Sequence, residues 1–253
     1  MRRTRAADRD RRSVLVIAGA ALALFALAAL PRIVVAQTSA GSPLKIGMVG
    51  AGREGSALGA LFVKAGHPVM FSSRNPERLK DLAAGLGPLA QAGTVEQAIA
   101  FGDVVVMVVP YPAIEAIGKA HAGALAAKAL VMDVSNPIAR RDGEDFVKSV
   151  NAQGGAGLVT AKWLTGARIV RAFNAIGAGR LAVVAHRPGD LVGMPIAGDD
   201  PKAIAVAQDL IRKIGFEPVL VGGLAMGKHL VPGTPLGGEH TPAEIRKAAD
   251  SLR

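Results

Sequence analysis

From Leu44 onward the chain alternates short apolar runs with stretches in which apolar residues return every three or four positions. Leu44–Val49 reads as a buried parallel strand, and Leu58, Leu61, Phe62 and Ala65 then follow at helical spacing until Gly66 ends the pattern. A turn at Gly66-His67-Pro68 leads into a second strand, Val69–Ser72. Helices are expected over Glu77–Leu86 and Thr94–Ala100, a buried strand over Asp103–Val109, a Gly/Ala-rich helix over Ala113–Lys128 and a further strand at Leu130–Asp133. Strands that alternate with helices in this way predict an α/β protein, a single domain with a doubly wound and mainly parallel sheet. Two later helix starts carry oxygen caps followed by proline: Asp199-Asp200-Pro201 before Lys202–Ile214, and Thr241-Pro242-Ala243-Glu244 before a terminal helix reaching Leu252.

The first strand runs directly into Gly50-Ala51-Gly52-Arg53-Glu54-Gly55, a GxGxxG pattern set between a strand and a helix. In that context the pattern is a dinucleotide-binding fingerprint, and the sheet is of Rossmann type. Gly50 allows the tight turn, Gly52 admits a pyrophosphate to the backbone, and Gly55 lets helix and strand pack closely. The free N–H groups at the helix start complete an anion site. About 20 residues on, NAD-selective domains place a carboxylate for the ribose 2′-hydroxyl; here the second strand ends in Ser73-Arg74-Asn75, with Arg78 one helical turn later. Hydroxyl and guanidinium groups attract a 2′-phosphate, so the expected cofactor is NADP. In such sheets ligands lie at the carboxyl ends of the strands, which makes Val109-Pro110-Tyr111-Pro112 and Ser135-Asn136-Pro137 the segments expected to flank the nicotinamide.

Composition narrows the alternatives. Aromatics make up 4% of the chain, which suits helix-on-sheet packing and gives no stacking surface for bases. The net charge of +10 divides evenly, +5 within residues 1–36 and +5 over the remainder, and no basic run with interleaved aromatics follows Arg12. No nucleic-acid partner is expected. The chain has no cysteine, so thiolate metal sites, disulfides and cysteine nucleophiles are excluded. Its five histidines show no ligand spacing and Ser135 lacks the GxSxG elbow, so neither metal nor hydrolase chemistry is expected. Tyr111 falls near the expected site and Trp163 in the core.

Residues 1–36 form a segment of their own. Met1–Arg12 is arginine-rich, Ser13–Leu30 is apolar or small throughout, and Val34-Val35-Ala36 precedes Gln37 like a cleavage site. Arg11-Arg12-Ser13-Val14-Leu15 is similar to the twin-arginine export motif. The segment is either a cleaved signal or, at about 18 residues, a minimal anchor. Both predict a domain exported to the periplasm or held at the outer face of the inner membrane, touching the membrane only through this segment. Residues 37–43 act as a linker, 44–223 as the NADP-binding domain, and 224–253 as a Gly/Pro-rich tail with a short terminal helix.

Lys45–Gly55, Ser72–Glu77, Asp103–Pro110, Asp133–Ile138, Arg171–Ile176 and Pro195–Gly222 together resemble the NADPH-dependent coenzyme F-420 (deazaflavin) reductase family, whose N-terminal pattern is shared with pyrroline-5-carboxylate reductases. The resemblance implies one domain in which NADP and a deazaflavin or flavin-like acceptor lie ring to ring. Gly50, Ala51, Gly52, Arg53, Glu54, Gly55, Ser73, Arg74, Asn75 and Arg78 would hold the adenosine and phosphate end. Val109, Pro110, Asn136 and Pro137 would line the nicotinamide, and Asn174, Ile176 and Gly177 would begin the acceptor pocket. Both reacting atoms belong to cofactors, so the resemblance implies no obligatory side-chain acid or base, and the partner is a small redox molecule; a homodimer is one assembly open to it. One departure is visible: family members close the pocket with an apolar C-terminal helix, whereas Leu230–Gly238 breaks any helix. An imine reductase and a non-catalytic NADP-binding module are the competing readings.

Overall fold

Eight strands and ten helices follow one another along the chain of the computed structural model, which describes residues 42–252. The signal or anchor expected over 1–36 lies outside the described residues. In order, the elements begin β1 (Ile46–Val49), α1 (Arg53–Lys64), β2 (Val69–Ser72), α2 (Lys80–Leu86), β3 (Ala90–Gly93), α3 (Val95–Phe101) and β4 (Val104–Met107). They continue with α4 (Ala113–Ala126), β5 (Leu130–Asp133), α5 (Ala139–Asp142), α6 (Glu144–Ala152), α7 (Ala156–Trp163) and β6 (Ile169–Arg171). The last are α8 (Ala178–Val184), β7 (Gly193–Gly198), α9 (Pro201–Lys213), β8 (Glu217–Gly222) and α10 (Pro242–Asp250).

All eight strands lie in one sheet of order β3-β2-β1-β4-β5-β6-β7-β8. Pairing is parallel throughout except between β6 and β7. The central strands are apolar on both faces because helices cover both faces, which is why β4 reads Val-Val-Val-Met. On one face Met48, Val106 and Met132 pack with Phe62 of α1 and Leu210 of α9. On the other, Val105, Met107 and Val131 pack with Ile99, Ile114 and Val159. The expected doubly wound, mainly parallel α/β sheet is therefore present.

The differences from expectation have local causes. β3 was not anticipated: its sequence, Ala-Gln-Ala-Gly, has no apolar period, and it is defined by pairing with β2 at the sheet edge. The short helices α5, α6 and α7 were also unanticipated, since Gly143, Gly154 and Gly155 at positive φ cut the segment into pieces too short to show a period. The helix expected over Glu77–Leu86 begins as a 3-10 turn at Pro76–Leu79, and α4 kinks at His121 and ends at Ala126. Asp200 caps α9 by accepting from Ala203 N–H at 2.8 Å, while Asp199 accepts from Leu224 N–H at 3.1 Å, so this carboxylate pair is used in capping. Thr241 and Glu244 form a reciprocal capping box at α10.

Residues after Gly223 pack onto the sheet. Leu230, Leu236, Ile245 and Ala249 bury against Ala197, Val219 and Val221 of β7 and β8, in the same compact unit as the rest of Pro43–Arg253. Ile245→Ala should accordingly cost about 2–5 kcal/mol in urea denaturation, with the loss appearing in the single transition of the whole domain. A separate early transition, or no change in midpoint, would show the tail to be an appendage.

Candidate active site

The corner between β1 and α1 is shaped by three glycines with different duties. Gly50 has φ 101, and a Cβ there would stand 2.2 Å from the Val108 carbonyl oxygen. A Cβ at Gly55 would stand 1.9 Å from the Gly50 carbonyl oxygen. Both are demanded by the backbone itself. Gly52 is not: its φ of −73° suits any residue, and a Cβ would meet nothing within 4 Å. Its bare backbone keeps space open beside the N-terminus of α1, whose first N–H groups receive no side-chain cap. That arrangement fits a diphosphate.

Two cavities meet at this corner. The larger, about 690 Å³, runs from Gly50, Ala51 and Gly52 to Ser73 and Arg74, and is floored by Val109, Pro110 and the start of α4. Its size falls in the range of small-molecule sites. Ser73 Oγ accepts from Asn75 N–H at 3.1 Å. Arg74 is exposed and makes no ion pair among the described residues, while the nearby Glu77 is drawn to Lys80 at 2.6 Å. The guanidinium is thus free to meet an anion. Asn75 and Arg78, expected beside it, are exposed residues outside the lining of this cavity.

The second cavity, about 270 Å³, shares Gly52, Val108, Val109 and Pro110 with the first. Beyond this common wall lie Asn136, Asn174, Ile176 and Gly177, and with them Arg53, Glu54 and Gly55, which were expected at the phosphate end but line this cavity and not the larger one; Pro137 lines neither. Arg141 and Pro232 also line it and were not anticipated. Arg141 Nη2 donates to the Asn136 carbonyl at 2.6 Å, tying α5 to the rim.

Behind the cavity sits a buried polar network. Asp133 and Arg171 are register partners on the parallel pair β5 and β6, and their side chains, 0% exposed, meet at 2.5 Å. Thr160 Oγ1 donates to the same carboxylate oxygen at 2.8 Å, and Ser135 N–H donates to the other at 2.9 Å. Arg171 Nη2 donates to Asn136 Oδ1 at 3.0 Å, and Asn136 Nδ2 donates to the Asn174 carbonyl at 2.8 Å. Asn174 Nδ2 is shared among the carbonyls of Asp133 and Ser135 and Asn136 Oδ1, at 3.2 to 3.3 Å. Just before it, Phe173 stands at φ 61, a left-handed conformation rare for a bulky residue. Asn174 itself is 3% exposed, and its Oδ1 is buried without a partner. Tyr111, expected near the site, is instead fully buried behind it: its hydroxyl donates to the Ala156 carbonyl at 2.6 Å and lies 3.1 Å from Thr160 Oγ1, and burial raises its pKa.

Glu54, in the first turn of α1, is half-buried, and its Oε1 has no hydrogen-bond partner. Burial raises its carboxyl pKa from 4.5 to about 7, against the lowering effects of the Ala178 backbone N–H and the Arg53 charge.

A family described as NADP oxidoreductase, coenzyme F420-dependent, matches residues 45–137. The F420-dependent NADP reductase of Methanothermobacter thermautotrophicus is 30% identical over 205 residues, covering 76% of this chain and 87% of that protein. The metalloreductase STEAP3 of Rattus norvegicus is 32% identical over 190 residues, 74% of this chain, but the match spans only 35% of that longer protein. Among solved structures, a hypothetical protein, SMa0349, from Sinorhizobium meliloti superposes with a TM-score of 0.67 at 26% identity, covering 78% of this chain and 95% of that one.

The network generates a stability prediction. Arg171→Leu strands the Asp133 carboxylate in a dry interior and should cost about 3–5 kcal/mol in chemical denaturation. Adding Asp133→Asn should recover part of that loss, because the orphaned charge is removed. A single variant as stable as the wild type would show that the pair does not carry the geometry described.

Proposed function

The chain belongs to the F420-dependent NADP reductase family and is an NADP-dependent oxidoreductase, and on that footing we propose that its second substrate is a deazaflavin such as coenzyme F-420, or a flavin-like ring, seated in the smaller cavity. The observation that carries this reading is the wall common to both cavities: Val108, Val109 and Pro110 line the larger cavity on one side and the smaller on the other, which suits a nucleotide in the first and an acceptor in the second. Bound NADP(H) supplies or receives a hydride at nicotinamide C4. The protein's own work is alignment. Gly52 and the start of α1 hold the diphosphate, Ser73 and Arg74 take the 2′-phosphate, and the apolar common wall excludes water from the space between the rings.

The acceptor side is supported by its chemistry. It offers a buried amide oxygen, a carboxyl group and the nearby cations Arg53 and Arg141, which suit a polar heterocycle. For the segment over 1–36 we propose twin-arginine export. That route moves folded proteins, and it would deliver the enzyme with its nucleotide already held.

The assignment is tested by stopped-flow oxidation of NADPH against a panel of deazaflavin, FMN and a ferric chelate. Rapid single-turnover transfer to the deazaflavin or FMN is expected, and NADPH binding without transfer to either ring would overturn the reading. Arg74→Asp should weaken NADP by about 1.5–3 kcal/mol in titration calorimetry while leaving NAD nearly unchanged. Equal weakening of both nucleotides would remove Arg74 as the phosphate reader.

A further inference from the structure

Two side chains lining the acceptor cavity each have a buried polar atom that no hydrogen bond among the described residues satisfies: Asn174 Oδ1 and Glu54 Oε1. Buried polar atoms are normally paired, so an orphan in a cavity wall points to a ligand. The amide orientation of Asn174 is set by three acceptors around its Nδ2, which leaves Oδ1 as the free atom and makes it a hydrogen-bond acceptor awaiting an N–H. Glu54 offers the complement. It reaches the cavity from α1, and it also borders a shallow opening formed with Arg53, Gly177 and Arg180, so it can exchange protons with solvent from behind.

Resting on the deazaflavin or flavin reading, we propose that Glu54 is the acid that supplies the proton accompanying hydride transfer, while Asn174 Oδ1 accepts a hydrogen bond from the imide N3–H of the acceptor ring. Reduction of such a ring adds a hydride at C5 or N5 and a proton at N1, two electrons and one proton balancing the oxidation of NADPH. The Glu54 O–H bond breaks as the N1–H bond forms, its electron pair staying on the carboxylate, and water restores the proton through the opening at Gly177. The charged groups around the carboxyl are Arg53 on its own helix, Arg141 across the cavity, and Arg180 on α8, itself paired with Glu239 at 2.6 Å. Arg53 steadies the carboxylate left by the transfer, whereas Arg141 is itself paired with Asp142 at 2.7 Å. At neutral pH burial keeps the acid form populated.

The test compares the full chain with its Glu54→Gln and Glu54→Asp variants, using a free 5-deazaflavin as probe. In the protein without substrates, the infrared carboxylic-acid band of Glu54 should disappear as pH rises through about 7 and be missing from Glu54→Gln. In single turnover with NADPH, the wild-type rate should fall about tenfold per pH unit above that point. Glu54→Gln should be slower by on the order of 10²–10⁴-fold at saturating NADPH and nearly independent of pH, and Glu54→Asp should recover part of the rate. An N3-methylated probe should bind at least about tenfold more weakly, having lost the N–H that Asn174 accepts. A Glu54→Gln variant with the wild-type rate and pH profile overturns the acid, as does a Glu54 carboxyl that titrates in the ordinary range. Equal binding of the methylated probe overturns the Asn174 contact. Transfer to the deazaflavin with those results leaves the proposed function standing; no transfer to deazaflavin or FMN from wild type, with NADPH bound, removes both.

Discussion

A carboxylate and a guanidinium shut away from water at the ends of two neighbouring strands govern the shape of the smaller cavity. Taking Asp133 and Arg171 out of solvent is costly, and their mutual attraction offsets that cost only when the remaining hydrogen-bonding atoms are also matched. They nearly all are: Thr160 and the Ser135 backbone serve the carboxylate, and Asn136 serves the guanidinium, whose Nε alone is left over. A replacement by apolar residues would pack as well, but it would not dictate where Asn136 and Asn174 point. The network spends stability on direction. It also explains how the backbone at Phe173 stays at positive φ, a conformation worth about 1–3 kcal/mol of strain: Asn174 is tied by four hydrogen bonds on one side, and the Phe173 ring is held edge-on against Phe216, centroids 5.6 Å apart, on the other.

Strand polarity turns that local device into a site. Because β1 through β6 all run the same way, their carboxyl ends gather at one edge, and apart from Pro232, in the segment after β8, the loops that line the two cavities leave from there. The glycine corner after β1 provides dipoles and room, the loop after β2 provides cations, and the loop after β4 provides the apolar partition. The buried network after β5 and β6 provides fixed polar atoms. The two cavities therefore meet across a wall that has neither charge nor free hydrogen-bonding side chains.

How much of this could be read from residues alone followed physical range. The glycine corner and Ser73-Arg74 were legible because their demands are local: a turn, a close approach, a charge after a strand. The parallel sheet was legible because both faces of β4 and β5 are covered, which leaves unbroken apolar runs. β3 was not, since Ala-Gln-Ala-Gly has no pattern of its own and becomes a strand only by pairing with β2. Nor were the duties of Arg171 and Asp133, which are 38 residues apart and meet only through strand register. A signal did exist, for an arginine closing the apolar run Ile169-Val170 is out of place unless it has a buried partner. Tyr111 misled for the same reason: its position after β4 suggested the site, but Thr160 and the Ala156 carbonyl, which draw its hydroxyl inward, lie some 45 residues on.

The end of the chain shows how a requirement can be met without the expected element. Leu230–Gly238 does not form the apolar helix by which the family resemblance suggested that a pocket would be closed. Instead the loop is pinned at several points. Gly238 N–H donates to the Ala175 carbonyl at 3.0 Å, Gly193 N–H donates to the His240 carbonyl at 2.8 Å, and Glu239 holds Arg180. Leu230 and Leu236 bury beneath it, and Pro232 reaches the cavity wall. Gly238 is anchored one residue after Asn174, and Glu239 is anchored to α8, which begins one residue after Gly177, so the loop is fastened to the same segment that lines the smaller cavity. The loop that carries Pro232 and the wall that carries Asn174 are thus fastened to one another through a backbone hydrogen bond and an ion pair, which do the joining that a helix would otherwise provide.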